Sequence, residues 1–115
     1  MLIKGMMRNN NMLMKIPKRF KIMGHTVEVT TDSDFCIANG CMGVTWDSQN
    51  KIVLSDRILS DNEYKTIPKS KKEQTYLHEV VHNILSAMNE TELNNNEKFV
   101  DTFSALLHQV LTTSE

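Results

Sequence analysis

The sequence predicts an α+β domain, with strands in its first half and helices in its second. Three observations predict it. Stretches around residues 16–30 and 40–55 alternate apolar and polar residues, and turn residues separate the runs. From about Ser70 onward the apolar residues instead recur every three to four positions, the period of an amphipathic helix. No internal repeat, linker or low-complexity block divides the chain, and 115 residues suffice for one modest core.

Residues 1–14 keep no apolar period and include the polar run Asn9 to Asn11, so a flexible N-terminal tail is expected there. The domain is expected over residues 15–115. Phe20 and Ile22 alternate with basic residues, Gly24-His25 reads as a turn, and Thr26 to Thr30 alternates again, which together predict a β-hairpin. His25 is expected to be a surface turn residue. Thr31 to Asn39 reads as a polar connection. Gly40 to Trp46 is a weak strand, Asp47 to Asn50 a turn, and Lys51 to Ser55 a clearer strand, forming a second hairpin. Asp56 to Ser60 reads as a short helical turn, and Ser60 to Glu63 as another helix start. Ser70-x-x-Glu73 matches a capping box and predicts a helix from about Lys71 to Met88. Asn89 to Asn96 is a polar connection, and Asn96 caps a last helix from about Glu97 to Leu111.

Thirteen basic and fourteen acidic residues leave a formal charge of -1, which gives no electrostatic footprint for nucleic acid or an acidic membrane. No apolar run is long enough to span a bilayer. Lys4 and Arg8 are not followed by an apolar signal core, so a cytoplasmic location is expected. Cys36 and Cys41 flank Ile-Ala-Asn-Gly. No second pair completes a four-ligand knuckle, so they are expected to be free thiols in a reducing compartment.

The chemistry concentrates in His78-Glu79-Val80-Val81-His82, a His-Glu-x-x-His motif within the first long helix. Residues four apart share a helix face, so both imidazoles can point at one metal ion. Glu79 projects beside them, where it could take a proton from water on that metal. Leu77, Val80, Val81, Ile84, Leu85 and Met88 fall on the other side, so one face can bury while the other binds. Histidines four apart also occur as ordinary surface or core residues; the apolar stripe in matching phase favours the metal reading.

A catalytic zinc takes three protein ligands as a rule. Glu90 and Glu92 follow the helix end too closely to fold back. On the last helix Glu97, Asp101, Ser104 and His108 share one face, opposite Phe99, Val100, Phe103, Leu106, Leu107 and Val110. The apolar side is expected to pack into the core, with the polar stripe at its border. Glu97 is the expected third ligand. Asp101, one turn later, is expected to accept the free N–H of a ligand imidazole, which would fix its tautomer. His108 lies about 16 Å beyond Glu97 along the axis and is expected to be a hydrogen-bonded histidine at the core edge.

These residues resemble the small zinc-dependent metallopeptidases of the gluzincin class, of the bacteriophage and prophage kind similar to ImmA/IrrE. The resemblance rests on His78-Glu79-Val80-Val81-His82, on Glu97-Lys98-Phe99-Val100-Asp101 as a Glu-x-x-x-Asp pattern, and on the opening stretch from Lys15 to Val29. It covers about Lys15 to Leu111. It implies a small zincin-like fold, in which a twisted, mostly antiparallel sheet of three to four strands packs on the motif helix and the C-terminal ligand helix. It implies one zinc ion per chain held by His78, His82 and Glu97, with Glu79 as general base. It implies an edge strand beside the cleft that pairs with an extended substrate, for which Lys51 to Ser55 is the candidate. The implied substrate is a protein or peptide, such as a phage or host regulatory protein. A transition-state donor is also implied, and Tyr64, Tyr76 and His108 are the available choices. The alternative expectation is a non-catalytic, zinc-stabilised protein-interaction domain.

Overall fold

The computed structural model describes residues 14–115; the expected N-terminal tail lies outside them, apart from Met14. The architecture is mixed α and β. Strands β1 (Arg19–Ile22), β2 (His25–Thr31), β3 (Gly43–Trp46) and β4 (Lys51–Leu54) form one sheet in the order β1-β2-β4-β3. Outer pairs β1·β2 and β3·β4 are antiparallel, and the central pair β2·β4 is parallel. The two expected hairpins are therefore present, joined side by side through their second strands. Met23 and Gly24, both at positive φ, make the first turn, and exposed His25 begins β2.

A parallel neighbour needs a crossover. Here it runs through a short helix, α1 (Ser33–Ala38), over residues expected to be a plain connection. Asp32 caps it, its Oδ1 accepting the Phe35 N–H at 3.1 Å, and Cys36 is wholly buried beneath it. A second departure follows β4. The expected helical turn and helix start are instead a hairpin, β5 (Arg57–Ser60) paired with β6 (Glu63–Thr66). Asp61 and Asn62 both adopt positive φ, as a two-residue hairpin turn of the primed type requires, and short polar side chains tolerate that region.

Helix α2 (Lys69–Ala87) carries the motif. Its N-cap is Pro68, and no side chain caps it. Glu73 is not part of a capping box, because it is buried and accepts a 2.8 Å hydrogen bond from His108 Nε2 on the last helix. Tyr76, Leu77, Val81 and Leu85 bury against the sheet and the last helix. Ile84 and Met88, expected on the same apolar face, are exposed. A short helix α3 (Thr91–Asn94) interrupts the expected polar connection, and α4 (Glu97–Thr113) closes the fold. Asn96 caps α4 as expected, its Oδ1 accepting the Phe99 N–H at 3.0 Å.

The rotation of α4 overturns half of one expectation: Val100 is buried and Phe99 and Leu107 pack on the core as expected, but the rest of the apolar side does not. The face turned to α2 is the polar stripe: Ser104 and His108 are buried there together with Val100. Phe103, Leu106 and Val110, expected in the core, are 47%, 57% and 59% exposed. The physical reason is pairing. Buried Glu73 on α2 requires a partner, and His108 on the polar stripe of α4 supplies it. Among the described residues no helix is long and apolar enough to cross a membrane.

Candidate metal centre

The site forms where the middle of α2 meets the start of α4. His78 and His82, one helical turn apart, place their Nε2 atoms 3.2 Å from each other. Glu97, first residue of α4, faces both: His78 Nε2 lies 3.3 Å from Oε1, and His82 Nε2 lies 3.4 Å from Oε2. One potential ligand atom from each of the three falls within 4.8 Å of the others.

The remote ring nitrogens are also engaged. His78 Nδ1 donates to Asp101 Oδ1 at 2.9 Å, and His82 Nδ1 donates to Asn94 Oδ1 at 2.6 Å. Each contact puts the proton of a neutral imidazole on Nδ1 and leaves a lone pair on Nε2. In that tautomer two Nε2 lone pairs and one carboxylate converge on one point. Such a set of donor atoms suits a cation. Atoms about 2.1 Å from a tetrahedral zinc ion stand about 3.4 Å apart, close to the spacing of the two Nε2 atoms and of each from its nearer Glu97 oxygen. Two imidazole nitrogens and a carboxylate oxygen are also a set found around catalytic zinc, so the residues fit that ion.

Glu79 does not join this cluster. The residue is 7% exposed and its carboxylate is turned to the sheet, where Thr45 Oγ1 donates to Oε1 at 2.6 Å. Asn83, one turn further along α2, donates through Nδ2 to the Glu79 carbonyl at 2.8 Å and to Thr45 Oγ1 at 3.3 Å. β3 can approach α2 this closely because residue 43 is glycine: a Cβ there would stand 2.6 Å from Thr75 Cγ2 and 3.1 Å from Leu54 Cδ2.

A cleft of about 320 Å³ opens beside the cluster, between α2, the start of β3 and α4; Gly43, Thr75, His78, Glu79 and Asp101 are among its walls. Among the described residues β3 is the outermost strand on this side, and its first residue, Gly43, lines the cleft. The expected edge strand, Lys51 to Ser55, is instead interior, flanked by β2 and β3. Of the three expected transition-state donors, none lines the cleft. Tyr76 is buried against Phe20, His108 is bonded to Glu73, and Tyr64 lies on β6 under Arg57.

No family model, no curated protein and no solved structure matches this chain. Its function is therefore argued from the geometry of these residues.

The structure brings His78, His82, Glu97 and Asp101 together and sets Glu79 at their flank. Sequence reasoning missed Asn94, Thr45 and Asn83. Asn94 carried a signal, since it lies twelve residues after His82 in a helix-capable stretch facing the same pole. Thr45 carried none, because its role depends on how the sheet docks on α2. The cysteines lie apart from the centre, and both are free. Burial, and then the neighbouring Cys41, push the Cys36 thiol up to about 12.

Proposed function

We propose that this protein is a zinc-dependent metallopeptidase with a small zincin-like fold, acting on extended peptide segments of a protein substrate. The observation that carries the reading is the convergence of His78 Nε2, His82 Nε2 and the Glu97 carboxylate, each imidazole oriented from behind by Asp101 or Asn94.

When bound, zinc supplies a Lewis acid that polarises a carbonyl and makes water a nucleophile near neutral pH. The chain supplies the rest. The free edge of β3 offers backbone N–H and C=O groups to an extended substrate by strand addition. Glu79 accepts the proton of the attacking water and passes it to the departing amine. Thr45 holds one oxygen of that carboxylate, which leaves Oε2 for the proton. A phage or host regulatory protein is the proposed substrate class, by resemblance alone.

One observation favours a second reading. Glu79 is nearly buried and hydrogen-bonded to Thr45, so it could serve to tie α2 to the sheet in a zinc-stabilised, non-catalytic interaction domain.

The test is zinc content by elemental analysis for the wild type and Glu97→Ala, followed by peptidase assays with Glu79→Gln as control. The proposal expects one zinc per chain, clear loss in Glu97→Ala, and cleavage that Glu79→Gln abolishes while keeping zinc. Zinc binding with no cleavage of any unfolded protein offered supports the interaction domain. No zinc even after refolding with zinc rejects both readings.

A further inference from the structure

A stripe of Phe99, Phe103, Leu106, Val110 and Thr113 runs along α4; half-buried Phe99 also packs on the Val81, Leu85 and Val100 core, and the other four are exposed. Their spacing is four, three, four, three. That is the seam spacing of a coiled-coil helix, and from Phe103 onward it is exposed among the described residues. Phe99 and Phe103 stack with centroids 5.7 Å apart and begin the stripe. With Leu111 beside it, the open part leaves roughly 400 Å² of apolar side chain in water, as large as the main apolar patch of an ordinary monomer. No charged residue lies on α4 between Asp101 and Thr113.

We propose that this face is a homodimer interface, in which α4 packs antiparallel against α4 of a second copy with Leu106 at the two-fold axis. The order of side-chain sizes argues for a second copy rather than an unrelated helix. In that pairing Leu106 meets Leu106, Phe103 meets Val110, and Phe99 meets Thr113. Each bulky ring falls opposite a small side chain, so the stripe is complementary to itself when reversed. A parallel pairing would set Phe against Phe and Thr against Thr. Antiparallel packing also opposes the two helix dipoles favourably and brings Lys98 level with Glu115 of the second copy. Two such faces together bury roughly 1,000 Å² once the flanking polar residues are included, the lower limit for a specific interface. Dissociation on the order of 10 μM is therefore expected. The interface is independent of any metal.

Sedimentation velocity of the full-length chain, from about 1 μM to about 500 μM, tests this. A reversible monomer–dimer equilibrium is expected. Leu106→Glu should move its midpoint up by roughly thirty-fold or more, while thermal unfolding of the isolated monomer stays unchanged because residue 106 is mostly exposed. Orientation is read by cysteine cross-linking with diamide in a Cys41→Ser background: Leu106→Cys should cross-link to itself, and Thr113→Cys should not. A monomer at every concentration overturns the proposal and leaves the stripe to a different protein or to residues 1–13. A dimer that Leu106→Glu leaves intact overturns it too, as does self-cross-linking through Thr113→Cys.

Discussion

Glu73 and His108 should behave as a single unit in folding. Their side chains are 4% and 7% exposed by residue and meet at 2.8 Å, so neither has water as a substitute partner. Replacing His108 with Leu leaves a buried carboxyl without its donor. Removing one member of such a pair costs about 3 kcal/mol, and up to about 5 if the group left behind must stay charged. Replacing Glu73 with Leu strands the imidazole at a similar cost. Changing both to Leu removes both polar groups, and the apolar pair fills the gap between α2 and α4. That double variant should fall within about 1 kcal/mol of the wild type. Urea denaturation followed by circular dichroism, with chelator present, reads this directly. For a domain of this size each single variant should lower the midpoint by about 2 M, with an unchanged slope. The reasoning is refuted if the single changes cost less than about 1 kcal/mol, or if the double variant loses the sum of both.

Asp101→Asn and Asn94→Ala should each weaken zinc binding by roughly 10- to 100-fold in competition titrations, because each frees one imidazole to rotate; an unchanged affinity would show that these contacts do not orient the ligands. Gly43→Ala should destabilise by about 1–3 kcal/mol in urea, since the added methyl must displace Thr75 or push β3 from α2. Cys36 sets an alkaline limit. Its folded-state value is raised from 9.0 to about 12, so the folded state favours the neutral thiol. That stabilisation is complete below pH 9 and is lost as pH climbs from 9 towards 12. Thermal melts should fall across that window and fall less in Cys36→Ala, and at pH 8 iodoacetamide should label Cys41 well before Cys36.

Where local chemistry decided the outcome, the sequence was readable. The first hairpin, the β3–β4 pair, both long helices and the Asn96 cap follow from alternation, periodicity and one capping side chain. His108 as a hydrogen-bonded histidine at the core edge was legible from its distance to Glu97. What misled was local chemistry with two uses. Ser70-x-x-Glu73 reads as a capping box, but the tertiary partner His108 claims Glu73. Asp61-Asn62 suits a helix start and a tight hairpin turn equally, and the pairing of β5 with β6 chooses. The α4 apolar stripe was read as core because burial is the ordinary fate of Phe, Leu and Val. The deciding residue, Glu73, sits on another helix. The interior position of β4 depends on the parallel pairing with β2, which no alternation pattern announces.

The residues around the candidate centre divide by origin. His78, His82, Asn94, Glu97 and Asp101 come from one continuous stretch of helix, turn and helix, so the ion-holding half can assemble whenever α2 and α4 meet. Glu79 sits in the same stretch, but its carboxylate takes direction from Thr45, a residue delivered by the sheet from more than thirty positions away. The two halves can therefore fail separately. Under the proposed reading, damage to the register of β3 would leave a chain that still binds zinc while Glu79 swings free. Metal content alone would then overstate how much of such a preparation is competent.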